Sequence, residues 1–372
     1  MASIIGKASG MDFPDTRTRR SGILFPHPWA VNGLTEKPRK VTWLMPFVLC
    51  FFACGTINMG DPALETQDLS TLERMLEFYE FIYDRRALAV KKSQGGPWPW
   101  SNDPALNEFK FCNVYRELDA GTIHVKKFVL ENEALGPADK LFNIIFYRRF
   151  NVRYFFTKVM SPIKRSEFIM EELEKRFDAL LAYGVKLFNE AYTLSQHPID
   201  KNYRKREKHV QVLISQASMA HSRAFGGICA LGAREAFKAL QWPNIGPFLS
   251  YQILQDMAMD RKSFPAIDLS DFVYVGPGAL PGIEIITGSK VNPEEQCKAI
   301  HKAQRFMFDK LKELKGKDWD EIAWAEQPQI SLPNVQNCLC EFRKFYNLKN
   351  NLKQRKRYYR THGLPNLITQ NS

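Results

Sequence analysis

Apolar positions recur at helical spacing along most of this chain. From Asp68 onward, Leu69, Leu72, Met75, Leu76, Tyr79, Ile82 and Tyr83 repeat every three or four residues, the period of one helix face. Asp68 or Ser70 stands where an N-cap is needed and Glu73 falls in the first turn, so a helix is predicted to about Lys91. Gly95-Gly96-Pro97-Trp98-Pro99-Trp100 then breaks the period and reads as a rigid loop. Asp103-Pro104 has the cap-then-proline order of a helix start, which predicts a helix on to Gly121. Its apolar side is Leu106, Phe109, Val114 and Leu118, and Cys112, Asn113, Arg116 and Asp119 form a polar stripe.

Further helices are predicted over 137–156, 166–183, 209–219, 292–315 and 332–347. The first of these mixes aromatic and basic residues (FNIIFYRRFNVRYFF). Val185 to Leu194 is short enough to be extended, and Lys201 to Lys208 is a basic loop. There is no internal repeat and little sustained strand alternation. The fold class predicted is therefore all-α, or nearly so.

Between these helices lies the densest cluster of turn chemistry, Leu240 to Gly282. Ala233–Gln241 runs into Trp242-Pro243-Asn244-Ile245-Gly246-Pro247-Phe248, and a second helical pattern follows. A helix, a short glycine turn and a second helix make a helix-hairpin-helix. Such a turn aims backbone N–H groups outward at the start of the second helix, a site suited to a DNA phosphate. Ile245, Gly246 and Phe248 are the DNA-binding candidates there. A second turn, Gly276-Pro277-Gly278, follows Asp268 and Asp271.

Charge changes the picture by naming a kind of partner. The 372 residues carry 52 Lys and Arg against 40 Asp and Glu, a net charge of +12. That excess favours an anionic partner, nucleic acid or a membrane surface. Hydrophobic residues make up 45%, enough for a sizeable core, which argues against global disorder. The 7 cysteines (Cys50, Cys54, Cys112, Cys229, Cys297, Cys338 and Cys340) include no CxxC pair and no zinc or iron–sulfur spacing. They read as free thiols in an intracellular, reducing compartment, the nucleus in a eukaryote, and no metal or cofactor is evident. The organisation predicted is a basic extension over 1–67, a helical domain over 68–348 and a basic tail over 349–372. Within the extension, the apolar run Val41–Ile57 follows positive charge but is short for a span and contains Pro46. It reads as a targeting segment or anchor, or as a segment packed on the core; stable membrane association is not expected.

Four segments, taken in order, resemble one known family. They are Phe78–Arg86 running into Pro99–Pro104; Phe111–Asp119 with Thr122; Leu240–Gly282 with Gly276-Pro277-Gly278-Ala279 and Gly282; and Leu339–Phe345. They are similar to the helical domain shared by 5-hydroxymethyluracil DNA kinases and the alpha-glutamyl/putrescinyl thymine pyrophosphorylases. The resemblance spans roughly residues 69 to 359. It implies a helical DNA-binding fold related to helix-hairpin-helix DNA glycosylases, and chemistry on a modified base. In the pyrophosphorylase members an amino acid or polyamine displaces pyrophosphate from a base that a separate kinase has activated. DNA, an amine co-substrate and such a kinase are the partners it implies. This chain departs from the family pattern after Ala279, where Leu280-Pro281 replace basic residues, and in Lys353-Gln354-Arg355-Lys356-Arg357, which lacks the family's prolines.

The pattern GxxxxGK[ST] of a phosphate-cradling loop is absent from these residues. Displacing pyrophosphate instead needs cations for the leaving group, a carboxylate to take the amine proton, and a pocket for the extruded base. The resemblance implies Asp268 as the first candidate for the carboxylate, since it lies at about the offset from the hairpin where the related glycosylases place their catalytic aspartate, with Asp271 and Asp256 as alternatives. Arg116 and Asp119 are a second catalytic pair, arginine gripping phosphate and aspartate orienting it or accepting a proton. Arg85, Trp100, Asp103, Asn113, Gly276, Gly278, Glu341 and Lys344 complete the substrate- and DNA-binding candidates. The plainer readings are a turn cap for Asp268, an interhelical ion pair for Arg116, a core plug for Trp100 and a surface pair for Glu341 with Lys344. Three functions fit: transfer onto an activated 5-hydroxymethyluracil in DNA, excision of a base, or DNA binding without catalysis. By the same resemblance, Pro247-Phe248-Leu249-Ser250 has no lysine where bifunctional glycosylases place one, which lowers a lyase mechanism.

Overall fold

Twelve α-helices form among the residues that the structure, a computed structural model, describes: 68–189, 208–354 and 358–359. In chain order they are α1 (Leu69–Ser93), α2 (Pro104–Glu108), α3 (Ala120–Val125), α4 (Pro137–Phe150), α5 (Met170–Ala182) and α6 (Lys208–His221). Then follow α7 (Ala233–Ala239), α8 (Pro247–Met257), α9 (Leu280–Thr287), α10 (Pro293–Lys302), α11 (Gln304–Lys315) and α12 (Leu332–Lys349). The only strand-like pairings among the described residues are isolated bridges, Phe109 with Tyr358 and Trp324 with Gln327. The architecture is all-α. Residues 1–67, with the apolar run, lie outside the described residues, as do 190–207 of the extended segment and basic loop, and Arg355, Lys356, Arg357 and Arg360 of the tail.

Two groups of helices result. One joins the two ends of the described chain: α1 packs on α9, α11 and α12, and α12 packs on α9 and α10. Asp68 caps α1 by accepting from the Thr71 amide at 2.8 Å. The buried face of α1 is Leu72, Met75, Leu76, Phe78, Tyr79, Phe81 and Ile82. It meets α12 through Phe78–Phe342 (5.3 Å, edge-on) and Phe81–Phe345 (4.6 Å, stacked), and α11 through Tyr79–Phe308 (5.0 Å). Close approach fixes the small residues of α9. A Cβ on Gly282 would stand 2.3 Å from the Leu339 carbonyl oxygen of α12, and one on Gly278 2.8 Å from Cys340 Sγ. Gly278 and Gly282 are thus placed by helix packing.

The second group is α4 to α8, with α4 at its centre. From Lys140 to Phe150 every residue of α4 is buried, so this helix has no solvent face. Phe142, Phe146 and Phe150 pack against Phe155, Phe168, Phe177 and Phe225. The predicted helix over 137–156 stops early because Asn151 turns left-handed at φ 52°, and the chain re-enters as a single π turn, Phe155–Val159. The predicted helix from Asp103 to Gly121 is likewise only α2, an irregular segment and a 3-10 turn, Arg116–Leu118. Of its polar stripe, Cys112 and Arg116 spend hydrogen bonds on α12 and α8, while Asn113 and Asp119 bond each other within the segment. The predicted helix over 292–315 divides at Ala303 into α10 and α11.

Candidate functional site

Where the two groups meet, the segment 112–122 carries charge into the interior. The Asp256 carboxylate of α8 is fully buried and holds two guanidinium groups. Arg148 of α4 grips it as a fork, Nη2 donating to Oδ1 at 2.6 Å and Nε to Oδ2 at 2.5 Å. Arg116 donates from Nη2 to Oδ1 at 3.1 Å. Arg116 also donates to the side chain and backbone carbonyls of Gln252, one turn back on α8. Arg148 reaches Thr122 Oγ1 at 3.3 Å and Asn151 Oδ1 at 3.2 Å. The bidentate geometry and the extra acceptors are what make a buried ion pair tolerable, since removing either sign would strand the other.

Asp119 sits one step outward, half-buried. It accepts from Asn113 twice, backbone N at 3.1 Å and Nδ2 at 2.8 Å. Burial pushes its carboxyl above the ordinary value; the Asn113 donors and the Arg116 charge only partly offset this. The backbone amide of Arg116 donates to Asn334 of α12 at 3.0 Å, and Asn334 in turn donates to Glu117 at 2.9 Å. One segment therefore touches both helix groups.

On α12, Glu341 is buried and accepts from the Cys112 amide at 3.2 Å and from Lys344 Nζ. Burial opposes its charge, but Lys344 and Arg85 outweigh it and hold the carboxyl below its ordinary range. Arg85 of α1 is buried beside them, donates to Cys338 Sγ at 2.7 Å, and leaves Nε and Nη1 without a partner. The Glu341 charge, then burial, push the Cys112 thiol far up; burial raises Cys338 and Cys340 as well. These thiols stay protonated at neutral pH and are poor nucleophiles. Among the described residues no group of three or more His, Cys, Asp and Glu side chains could hold a metal ion.

Thus Arg85, Asn113, Arg116, Asp119, Asp256, Glu341 and Lys344 come together at one seam. The other candidates stand apart from it. Asp268 is 60% exposed, accepts from the Ser270 amide at 3.0 Å and pairs with Arg261 at 3.4 Å; the Ser270 hydrogen bond leads in lowering its pKa. Asp271 is 87% exposed on Lys298, at 2.9 Å. Asp103 caps α2 through the Ala105 amide at 2.8 Å and lies 3.7 Å from Lys349. Trp100 donates its Nε1 to the Gly96 carbonyl at 2.9 Å and packs edge-on against Tyr359.

The hairpin turn joins α7 to α8, with Asn244 left-handed at φ 66°. Ile245 is buried, while Gly246, Pro247 and Phe248 are exposed. A Cβ on Gly276 would touch the Phe248 ring at 4.0 Å, so the two turns of this stretch are neighbours. At the second turn the Ala279 and Leu280 amides are spent on the Gly276 carbonyl, at 3.0 and 3.1 Å. Positions 277 and 281 of that turn are prolines without an N–H. The hairpin, by contrast, stands at one end of α8 and Asp256 near the other, roughly 15 Å apart at 1.5 Å per residue.

Sequence reasoning passed over Arg148, Gln252 and Asn334. Arg148 did leave a signal: two arginines inside a helix that is apolar on every side have no solvent face to occupy.

An all-α fold with a buried arginine–carboxylate seam, and a glycine turn between α7 and α8, defines a helical domain with no strands among its described residues. Its sequence matches, over residues 73–355, the family model described as 5-hmdU DNA kinase, helical domain, and the chain belongs to that family. A similar protein is the 5-hmdU DNA kinase of Bacillus phage SP10, 29% identical over 213 residues, covering 52% of this chain. The match covers 33% of that kinase, about a third of its length. No solved structure matches. Among the described residues no helix is long and apolar enough to cross a membrane.

Proposed function

We propose that this chain binds DNA bearing an activated 5-hydroxymethyluracil and transfers an amino acid or polyamine onto it. The observation that carries the reading is the family match over residues 73–355, in a chain without the phosphate-loop lysine pattern of a P-loop kinase. The stretch shared with the phage kinase lends support for a DNA substrate. In the proposed step, the amine nitrogen attacks the methylene carbon of the base, the carbon–oxygen bond breaks, and pyrophosphate leaves with the electron pair. Asp119 accepts the amine proton. Its raised pKa and half-buried position suit a base working near neutral pH better than the exposed, ion-paired Asp268. Arg116, fixed by Asp256 and Gln252, keeps the neighbouring segment in register, and Arg85 and Lys344 supply positive charge for the leaving group. The hairpin turn, closing on Gly246, receives the DNA backbone.

Nucleoside mass spectrometry of 5-hydroxymethyluracil pyrophosphate DNA incubated with the protein and an amine tests this. A nucleoside heavier by the amine residue is expected with the wild type and is lost in Asp119→Asn. Release of free base, or no change in any nucleoside while DNA is bound, overturns the transfer reading.

A further inference from the structure

We propose that Arg149 is a buried charge built under the hairpin to hold a DNA backbone phosphate at the Leu240–Phe248 turn, acting as a positioning residue through the turn's backbone. The proposal rests on the reading that this turn receives DNA.

Arg149 is 1% exposed. Its donors go to Ser215 Oγ at 2.7 Å and the Val212 carbonyl at 3.2 Å, both on α6. Longer contacts reach Gln216 Oε1 and the Pro243 carbonyl of the hairpin, each at 3.4 Å. Its Nε has no partner. Every acceptor is neutral. Burial alone pushes the guanidinium down to about 9, so it remains charged at neutral pH, with no carboxylate offsetting it. A buried charge without a carboxylate partner is costly, and an anion bound at the turn would lower that cost.

The hairpin is where that anion would sit. Arg149 and Ser215 both donate to the Pro243 carbonyl, Ser215 Oγ at 3.0 Å, so the charge is wired to the turn. Asn244, next along, has a buried Nδ2 without a partner. Gly246 opens the eleven-residue α8, and a Cβ there would meet open space, so a phosphate oxygen can approach the helix start. The interior between the guanidinium and the turn screens poorly, so the field reaches the surface at greater strength than that of a solvated lysine.

Duplex binding by fluorescence anisotropy, with the full chain across a salt series, tests this. Arg149→Gln is expected to weaken binding about tenfold at low salt and to reduce the slope of log affinity against log salt by roughly one. Arg149→Lys, which keeps the charge, stays near wild type. Ser215→Asp places a carboxylate beside the guanidinium; it is expected to keep or raise the melting temperature yet weaken DNA binding with a shallower slope. It decides the matter if Arg149→Gln does not fold. Unchanged affinity and slope in Ser215→Asp, or equal losses in the Gln and Lys variants with the slope intact, overturn the proposal and make Arg149 a brace. A wild type that binds no duplex at low salt removes the DNA reading itself, and the proposal with it.

Discussion

Arg148 and Arg149 are consecutive on α4, equally buried, and opposite in their electrostatics. Arg148 closes a fork on Asp256 and shares that carboxylate with Arg116. Arg149 points to the other side of the helix and finds only carbonyls, an amide and a hydroxyl. One region pairs its charge with a carboxylate inside the protein and so is built to stay put. The other holds a charge that only something outside the protein can balance. The contrast shows that burial alone does not say whether a charge is structural; the census of its partners does.

The sharpest way to break this comparison is to remove the shared carboxylate. Asp256→Ala strands two buried guanidinium groups and is expected to cost about 3–5 kcal/mol. Arg149→Met, which strands no charge, is expected to cost clearly less, so urea melts of the two variants should separate. Equal losses would mean that Arg149 is as much a part of the fold as Asp256.

A smaller effect comes from pH. His124 is buried against Phe128, Tyr147 and Phe156 and accepts from the Phe156 amide at Nε2. Burial lowers it to about 4 from an ordinary 6.5. The unfolded chain therefore takes up this proton first, and stability falls as pH drops from about 6.5 to about 4, by roughly 2–3 kcal/mol in all. The lost stability returns on raising the pH, and His124→Gln should flatten that part of the curve of melting temperature against pH. Protonation adds a further cation two residues from Thr122, which the Arg148 guanidinium already reaches.

The smallest effect is expected at the exposed carboxylate. Asp268→Asn removes only a turn hydrogen bond and a solvated ion pair, and should shift stability by less than about 0.5 kcal/mol. It should also leave base transfer intact, in contrast to Asp119→Asn. Loss of transfer in Asp268→Asn would return the proton acceptor to the loop after the hairpin.

Much of the fold was legible in the pattern of residues. The Asp68 cap, the buried face of α1, the aromatic centre of α4 and the Gly246-Pro247 opening of α8 follow from local rules. The break after Glu108 was not legible, because α12 and α8 draw off the hydrogen bonds of Cys112, Arg116 and Glu117 from far along the chain. The candidate site divided in the same way. Arg116, Asp119, Glu341 and Lys344 were visible as polar residues at helical spacing, whereas Arg148 was marked only as one of two arginines in an apolar helix, with nothing nearby in sequence to name its partner.

By itself the sequence determined the all-α class, the Asp68 and Asp103 caps and the family, since each depends on neighbours a few residues apart or on ordered segments. Only the tertiary structure decided which charges are paired. Arg148 and Arg149 are chemically identical and adjacent. A rotation of about 100° per residue turns one toward Asp256, 108 residues away, and the other toward α6 and the hairpin. No local rule carries that distinction, because the partner of a buried charge is set by packing between elements remote in the chain.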